Sequence, residues 1–269
     1  MVNTEHRMVF IGGVHRSGTS LLHRLVRSHP LISGFENTGS SQDEGQHLQT
    51  VFPSDQELGG VGNFGFHVHA AMDETHALAN PVDAERLWRE WLVHWDLSKP
   101  CLVEKSPANL IRTRYLQYCF PNSRFLILLR HPIATSHAMR QRGWNTKPMA
   151  WLIEHALACY ERFLRDRACL SHYYVLHYED LVERPAFHLN SVFSWIGLPE
   201  IEINEGVRSD INGLYFEGAA HDEMMSAIRS ERLLEVRCNV FGYSLKSPHQ
   251  RLAVPWSGAH DRHGVLATE

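Results

Sequence analysis

MVFIGGVHRSGTSLL, residues 8–22, is the stretch on which the fold turns. Residues 8–14 form an apolar run broken by two glycines, the pattern of a short parallel strand buried on both faces. Leu22, Leu25 and Val26 then recur at helical spacing, so a helix follows at once. The connecting segment is Gly12-Gly13-Val14-His15-Arg16-Ser17-Gly18-Thr19-Ser20. A tight turn between a strand and a helix N-terminus aims successive backbone N–H groups and the positive helix dipole at one point, where an anion is stabilised. Gly18 lets the backbone approach a phosphate closely, Arg16 brings a cation, and Thr19 and Ser20 bring hydroxyl donors. The spacing is that of the triphosphatase loop G-x-x-x-x-G-K-[ST], with Gly13 and Gly18 in register. Thr19, however, stands where that loop has lysine. A P-loop kinase or nucleotide hydrolase using ATP or GTP with Mg²⁺ is therefore the alternative reading, weakened by the missing lysine.

Beyond this turn, residues 33–79 are rich in Gly, Ser, Asn, Asp and His and carry little periodicity. A segment that long without regular structure is usually a lid or a substrate wall, and residues 34–80 are expected to be such an insertion. Leu87, Trp88, Trp91, Leu92 and Trp95 restore helical spacing, with Asp83 the expected N-cap. Residues 100–103 predict a strand, 111–118 a helix, and 124–130 (RFLILLR) a fully buried strand, followed by Pro132 in the first turn of a helix. Trp151, Leu152, Ala156, Cys159 and Phe163 mark a helix, residues 173–177 a strand, and Leu189, Val192, Phe193 and Ile196 a helix ended by Gly197. The order predicts an α/β fold, a P-loop-like, mainly parallel sheet with helices on both faces, as one domain over 1–269. Residues 247–269 form a poorly patterned tail.

Composition sets the outer limits. With 26 Lys and Arg against 30 Asp and Glu, the formal net charge is −4, which argues against a general nucleic-acid binder and leaves room for a local basic pocket. The 5 cysteines are odd in number and include no C-x-x-C pair, which reads as a reducing compartment. The first eight residues hold no apolar signal core and the longest apolar runs cannot span a bilayer, so a cytoplasmic protein without a membrane span is expected. Glu44-x-x-His47 and His67-x-His69 invite a metal, yet no third ligand stands at a diagnostic spacing, so none is expected.

Arg16-Ser17-Gly18-Thr19-Ser20 resembles the 5′-phosphosulfate loop of the sulfotransferases, a basic residue followed by S-G-T-[ST] opening the first helix; the arginine is nearest to the bacterial and tyrosylprotein-type branch. The resemblance extends over roughly residues 8–245. It includes Arg130 before Pro132, Glu104-Lys105-Ser106-Pro107, His177-Tyr178-Glu179-Asp180-Leu181, Gly197-Leu198-Pro199 and Gly242-Tyr243-Ser244-Leu245. It implies a sulfotransferase that moves a sulfuryl group from 3′-phosphoadenosine 5′-phosphosulfate (PAPS) to a hydroxyl or amine on a small-molecule, glycan, lipid or peptide acceptor. It implies that Arg16, Ser17, Gly18, Thr19 and Ser20 hold the 5′-phosphate and sulfuryl group, with His15 beside them. Arg130 is implied for the 3′-phosphate, together with a serine of the next helix. The family position for that serine is Ala138 here, so Ser136 is taken, with Thr135 nearby. Lys105 is implied close to the sulfuryl group, where it would neutralise charge on the bridging oxygen. The acceptor needs a general base. Glu36 is expected first, since the tyrosylprotein branch has a paired glutamate in this region; His47 follows, sharing a helix face with Glu44, and then His67 or His69.

Overall fold

The computed structural model describes residues 1–2, 5–203, 206–207, 210–217 and 232–261. The apolar runs become the centre of a six-stranded sheet. The strands are β1 (Arg7–Gly12), β2 (Ile32–Gly34), β3 (Cys101–Lys105), β4 (Arg124–Leu129), β5 (His172–His177) and β6 (Gly258–Asp261). Their order is β2-β3-β1-β4-β5-β6; every pairing is parallel except β5 with β6.

Strand side chains alternate between two cores. Met8 and Phe10 of β1, with Phe125, Ile127 and Leu129 of β4, enter one. That core is covered by α2 (Pro81–Leu92), α3 (Thr113–Cys119) and α5 (Met149–Asp166). Val9, Ile11, Leu126 and Leu128 enter the other, under α1 (Thr19–Arg27), α6 (Tyr178–Glu183) and α7 (Pro185–Ile196). The central strands are thus apolar on both faces because both faces are covered. No helix among the described residues is long and apolar enough to cross a membrane.

Local rules account for most boundaries. α4 (Pro132–Gln141) starts on its proline, and α7 ends where Gly197 takes φ 83. Three details differ from the sequence expectation. The N-cap of α2 is Asn80, whose side chain accepts from the N–H groups of Val82 and Asp83; Asp83 sits inside the first turn instead. The segment 33–79 opens on the end of an edge strand, β2, and then holds short 3₁₀ turns at Ser41–Asp43, Gly45–His47 and Phe64–Phe66. The tail supplies β6, an antiparallel edge strand whose main chain pairs with Tyr173 and Tyr174 although its side chains carry no strand pattern. Residues 262–269 of that tail lie outside the described residues.

Candidate active site

The carboxyl ends of β1, β3, β4 and β5 open into one cleft of about 1070 Å³, where ligands of open parallel sheets bind. After β1 comes the anion turn. Arg16 holds φ 65, a left-handed conformation uncommon outside glycine. The Ser17 N–H closes the turn on Val14 O at 3.0 Å, and the Arg16 carbonyl accepts from Arg130 Nη1 at 2.8 Å. Gly18 has φ 100, and a Cβ there would come within 2.6 Å of the Tyr178 ring, so glycine is required on two counts. His15, Arg16, Gly18, Thr19 and Ser20 line the cleft. The Ser17 hydroxyl and Arg16 Nε are buried without a protein partner. Buried polar atoms are rarely left so, and these two fit an anionic ligand seated in the turn. Burial lowers the Arg16 pKa from its ordinary value, and the nearby Arg142 cation adds to that. Two guanidinium groups held this close attract anions. The Arg16 guanidinium also lies 5.1 Å over the ring of Trp144, which is half exposed at the cleft mouth.

After β4 comes Arg130. Tyr160 brackets its backbone, accepting from the Arg130 N–H at 3.1 Å and donating to its carbonyl at 2.9 Å. Its guanidinium stacks 4.0 Å from the Tyr178 ring. Nε and Nη2 both donate to Asn212 Oδ1, at 2.9 and 2.6 Å. Asn212 is in turn held by Glu179 Oε1 at 2.7 Å, and Glu179 also accepts from the Tyr243 hydroxyl at 2.9 Å. The Tyr-Glu-Asp-Leu and Gly-Tyr-Ser-Leu segments therefore meet behind Arg130. Arg16 and Arg130 face the same cleft.

After β3 comes a buried acid–base array. Lys105 is wholly buried; its Nζ donates to Glu44 Oε1 at 2.8 Å and to Gln42 O at 3.1 Å. Lys105 thus stands behind the cleft wall, and Glu44 is the group that lines it. His47 lines the cleft 3.8 Å from Glu44 Oε2. Beside them His15 Nε2 meets Asp55 Oδ2 at 2.8 Å. Burial pushes the Asp55 carboxyl up, but the His15 hydrogen bond and charge outweigh it and bring the pKa down to about 2. Beneath them Glu104 is fully buried. Burial raises it to about 7 against hydrogen bonds from Ser106, Asn109 and the Gly45 N–H.

Four expected residues, Glu36, Ser136, His67 and His69, lie away from the cleft wall. Glu36 does not reach the cleft: its side chain is 58% exposed and pairs with Arg27 Nη2 at 2.8 Å. Asn37, Gln42 and Asp43 all take positive φ, so the chain folds back between Glu36 and Glu44 and delivers the second glutamate to the site. Ser136 is completely buried on α4, its hydroxyl without a partner, and is not part of the cleft wall. Thr135 closes on Pro132 O at 3.0 Å. His67 and His69 lie with ring centroids 5.6 Å apart and line no part of the cleft. Gln42, Asp55, Tyr178 and Tyr215, none of them expected at the site, do line it, together with Trp144. Only Tyr178 carried a signal, its place at the end of the last parallel strand.

A strand–turn–helix anion cradle at the carboxyl edge of a parallel sheet defines the class of P-loop-like α/β proteins. Within it the chain belongs to the sulfotransferase family, whose family model matches residues 8–202. Human protein-tyrosine sulfotransferase 1 is 29% identical over 137 residues, 50% of this chain and 34% of that protein. The chain thus spans about a third of that relative's length. Among solved structures, a Mycobacterium tuberculosis sulfotransferase aligns with TM-score 0.55 at 17% identity, over 87% of this chain and 77% of the other. A sulfotransferase from Alicyclobacillus acidocaldarius aligns with TM-score 0.52 at 14% identity, over 90% and 96%. At such identities the structures establish the shared fold.

Proposed function

We propose that the protein transfers a sulfuryl group from PAPS to a hydroxyl acceptor without a metal, with Glu44 as general base. The observation that carries this reading is the convergence of the Arg16–Ser20 turn, Arg130 and the Lys105–Glu44 pair on one cleft. The turn amides, Ser17, Thr19 and Arg16 receive the 5′-phosphosulfate end, and Arg130 receives the 3′-phosphate. Charge-assisted bonds from planar guanidinium groups suit both. The acceptor oxygen attacks sulfur in line, its proton passes to Glu44, and the S–O bond to the 5′-phosphate breaks, leaving adenosine 3′,5′-bisphosphate. Neutralising Glu44 leaves the buried Lys105 ammonium without its counter-charge as negative charge grows on the leaving phosphate. The two events then favour one another. His47, 3.8 Å from Glu44 Oε2, lines the same wall. The name of the human relative makes a tyrosyl phenol the first acceptor to try.

The test is metal-free transfer of label from PAPS to phenolic, peptide and sugar hydroxyls. Glu44→Gln is expected to cut turnover at least about 100-fold, the usual weight of a general base, with bisphosphate affinity kept, while Glu36→Gln stays near wild type. Because Glu44→Gln leaves a buried ammonium unpaired and risks unfolding, Glu44→Asp, which keeps the charge and withdraws the carboxylate by one methylene, serves beside it. Full turnover in both Glu44 variants would remove Glu44 from the mechanism.

A further inference from the structure

The steps above make no use of Gln46, yet its side chain is among the most fully engaged at the site. It is 2% exposed. Nε2 donates to Glu44 Oε2 at 2.7 Å, and Oε1 accepts from the Asp55 N–H at 3.0 Å. Its own N–H donates to Ser106 Oγ at 3.0 Å. Turning the amide over would set its carbonyl against a carboxylate oxygen and its NH₂ against a backbone N–H, so only one orientation satisfies both partners. The two oxygens of Glu44 are therefore claimed separately from inside the protein, Oε1 by Lys105 and Oε2 by Gln46. The backbone carrying them is pinned as well. The Gly45 N–H donates to Glu104 Oε1 at 2.9 Å, and the Gly45 carbonyl accepts from Trp91 Nε1 at 2.9 Å.

We propose that Gln46 is a positioning residue for sulfuryl transfer. Its carboxamide fixes the Glu44 carboxylate toward the acceptor and ties it to the Asp55–His15 pair on the neighbouring wall. The proposal rests on Glu44 being the base. The charged and titratable groups around that carboxylate are Lys105 from β3, His47 from the same loop, Asp55 with His15 across Gln46, and Glu104 beneath Gly45. Among them Gln46 is the neutral donor. A carboxylate deprived of one such donor is less well oriented.

The experiment compares two acceptors with radiolabelled PAPS and the full chain. A tyrosyl peptide must lose its phenolic proton during transfer. A nitrophenol at about pH 8 is already ionised and asks for no base. Gln46→Met, similar in volume and without the amide, is expected to slow transfer to the tyrosyl peptide roughly 10- to 100-fold, the weight of a hydrogen bond to a charged group. Transfer to the nitrophenolate and affinity for adenosine 3′,5′-bisphosphate should change little. Gln46→Asn, which draws the amide back by one methylene, should show the same selectivity and stands in if the methionine variant does not fold. Equal slowing of both acceptors, or of neither, overturns the proposal. Glu44→Gln separates its failure from that of the underlying reading. If Glu44→Gln is itself unselective, the base assignment falls. If Glu44→Gln is selective and the Gln46 variants are not, Gln46 alone is wrongly placed.

Discussion

Arg130 combines the constraints of this site in one side chain. Tyr160 fixes its backbone, Tyr178 packs on its face, and its N–H groups reach Asn212 and the Arg16 carbonyl. Its variant Arg130→Ala is expected to weaken adenosine 3′,5′-bisphosphate binding roughly 10- to 100-fold by calorimetry, the range for charge-assisted bonds, with little change in adenosine 5′-monophosphate binding. Equal losses for both nucleotides would move the 3′-phosphate elsewhere. Gly45 is the other single position with a sharp expectation. A Cβ there would come within 2.5 Å of the Glu104 side chain. Gly45→Ala should therefore destabilise the protein by about 1–3 kcal/mol in urea unfolding, as overpacking does, and depress turnover with it. At this scale the sequence revealed the anion turn and Arg130, because both follow an apolar strand directly. The choice between Glu36 and Glu44 was hidden. It depends on four residues of positive φ between them; Gly39 is the one glycine, while Asn37, Gln42 and Asp43 are ordinary polar residues that give no sign of the turn.

Among the elements, the 3₁₀ turn Asp210–Tyr215 occupies a telling place. It offers the Asn212 carboxamide oxygen to two nitrogens of Arg130, the geometry a phosphate oxygen would use, and Tyr215 completes the cleft wall. A 3′-phosphate and Asn212 would compete for the same fork. Asn212→Ala is accordingly expected to tighten bisphosphate binding by about 5- to 10-fold, near the net worth of one hydrogen bond; weaker binding would instead make Asn212 part of the ligand's own shell. The sequence signalled elements in proportion to how much of their structure side chains dictate. β1 and β4 are apolar after their leading arginine because both faces are buried there, and they stood out. β2 is three residues long, and β6 is held by main-chain pairing at an edge, so neither leaves a pattern. The α2 cap was misplaced by three residues because Asn80 and Asp83 are both good caps, and Pro81 settles the matter by fixing the first turn after Asn80.

Over the whole molecule, the layering that buries both faces of the sheet also buries histidines, and this sets the acid limit of the fold. Burial drives His23 and His155 down to about 3 and His131 to about 4, with the neighbouring Lys105 adding to the effect at His23. His177 and His188 are lowered too, again first by burial. A base with a depressed folded value contributes stability that is present above the unfolded value near 6.5 and is lost as pH falls toward the folded value, because the unfolded chain takes up the proton first. Between about pH 6.5 and pH 5, each of the three deepest histidines then removes about 1.6 kcal/mol. Glu104 acts with the opposite sign. Raised to about 7, it binds its proton more tightly in the folded protein, and over the same window it returns about 2 kcal/mol. Three histidines outweigh one glutamate, leaving a net loss of about 3 kcal/mol, a large share of the roughly 5–15 kcal/mol that holds an ordinary domain together. Urea unfolding at the two pH values should show that drop. His155→Gln, which keeps an acceptor for the Gly65 N–H, should shrink the drop by roughly the share of one histidine. A free energy of unfolding unchanged across the window would mean that the buried imidazoles reach solvent and that the two cores are looser than the layered packing requires.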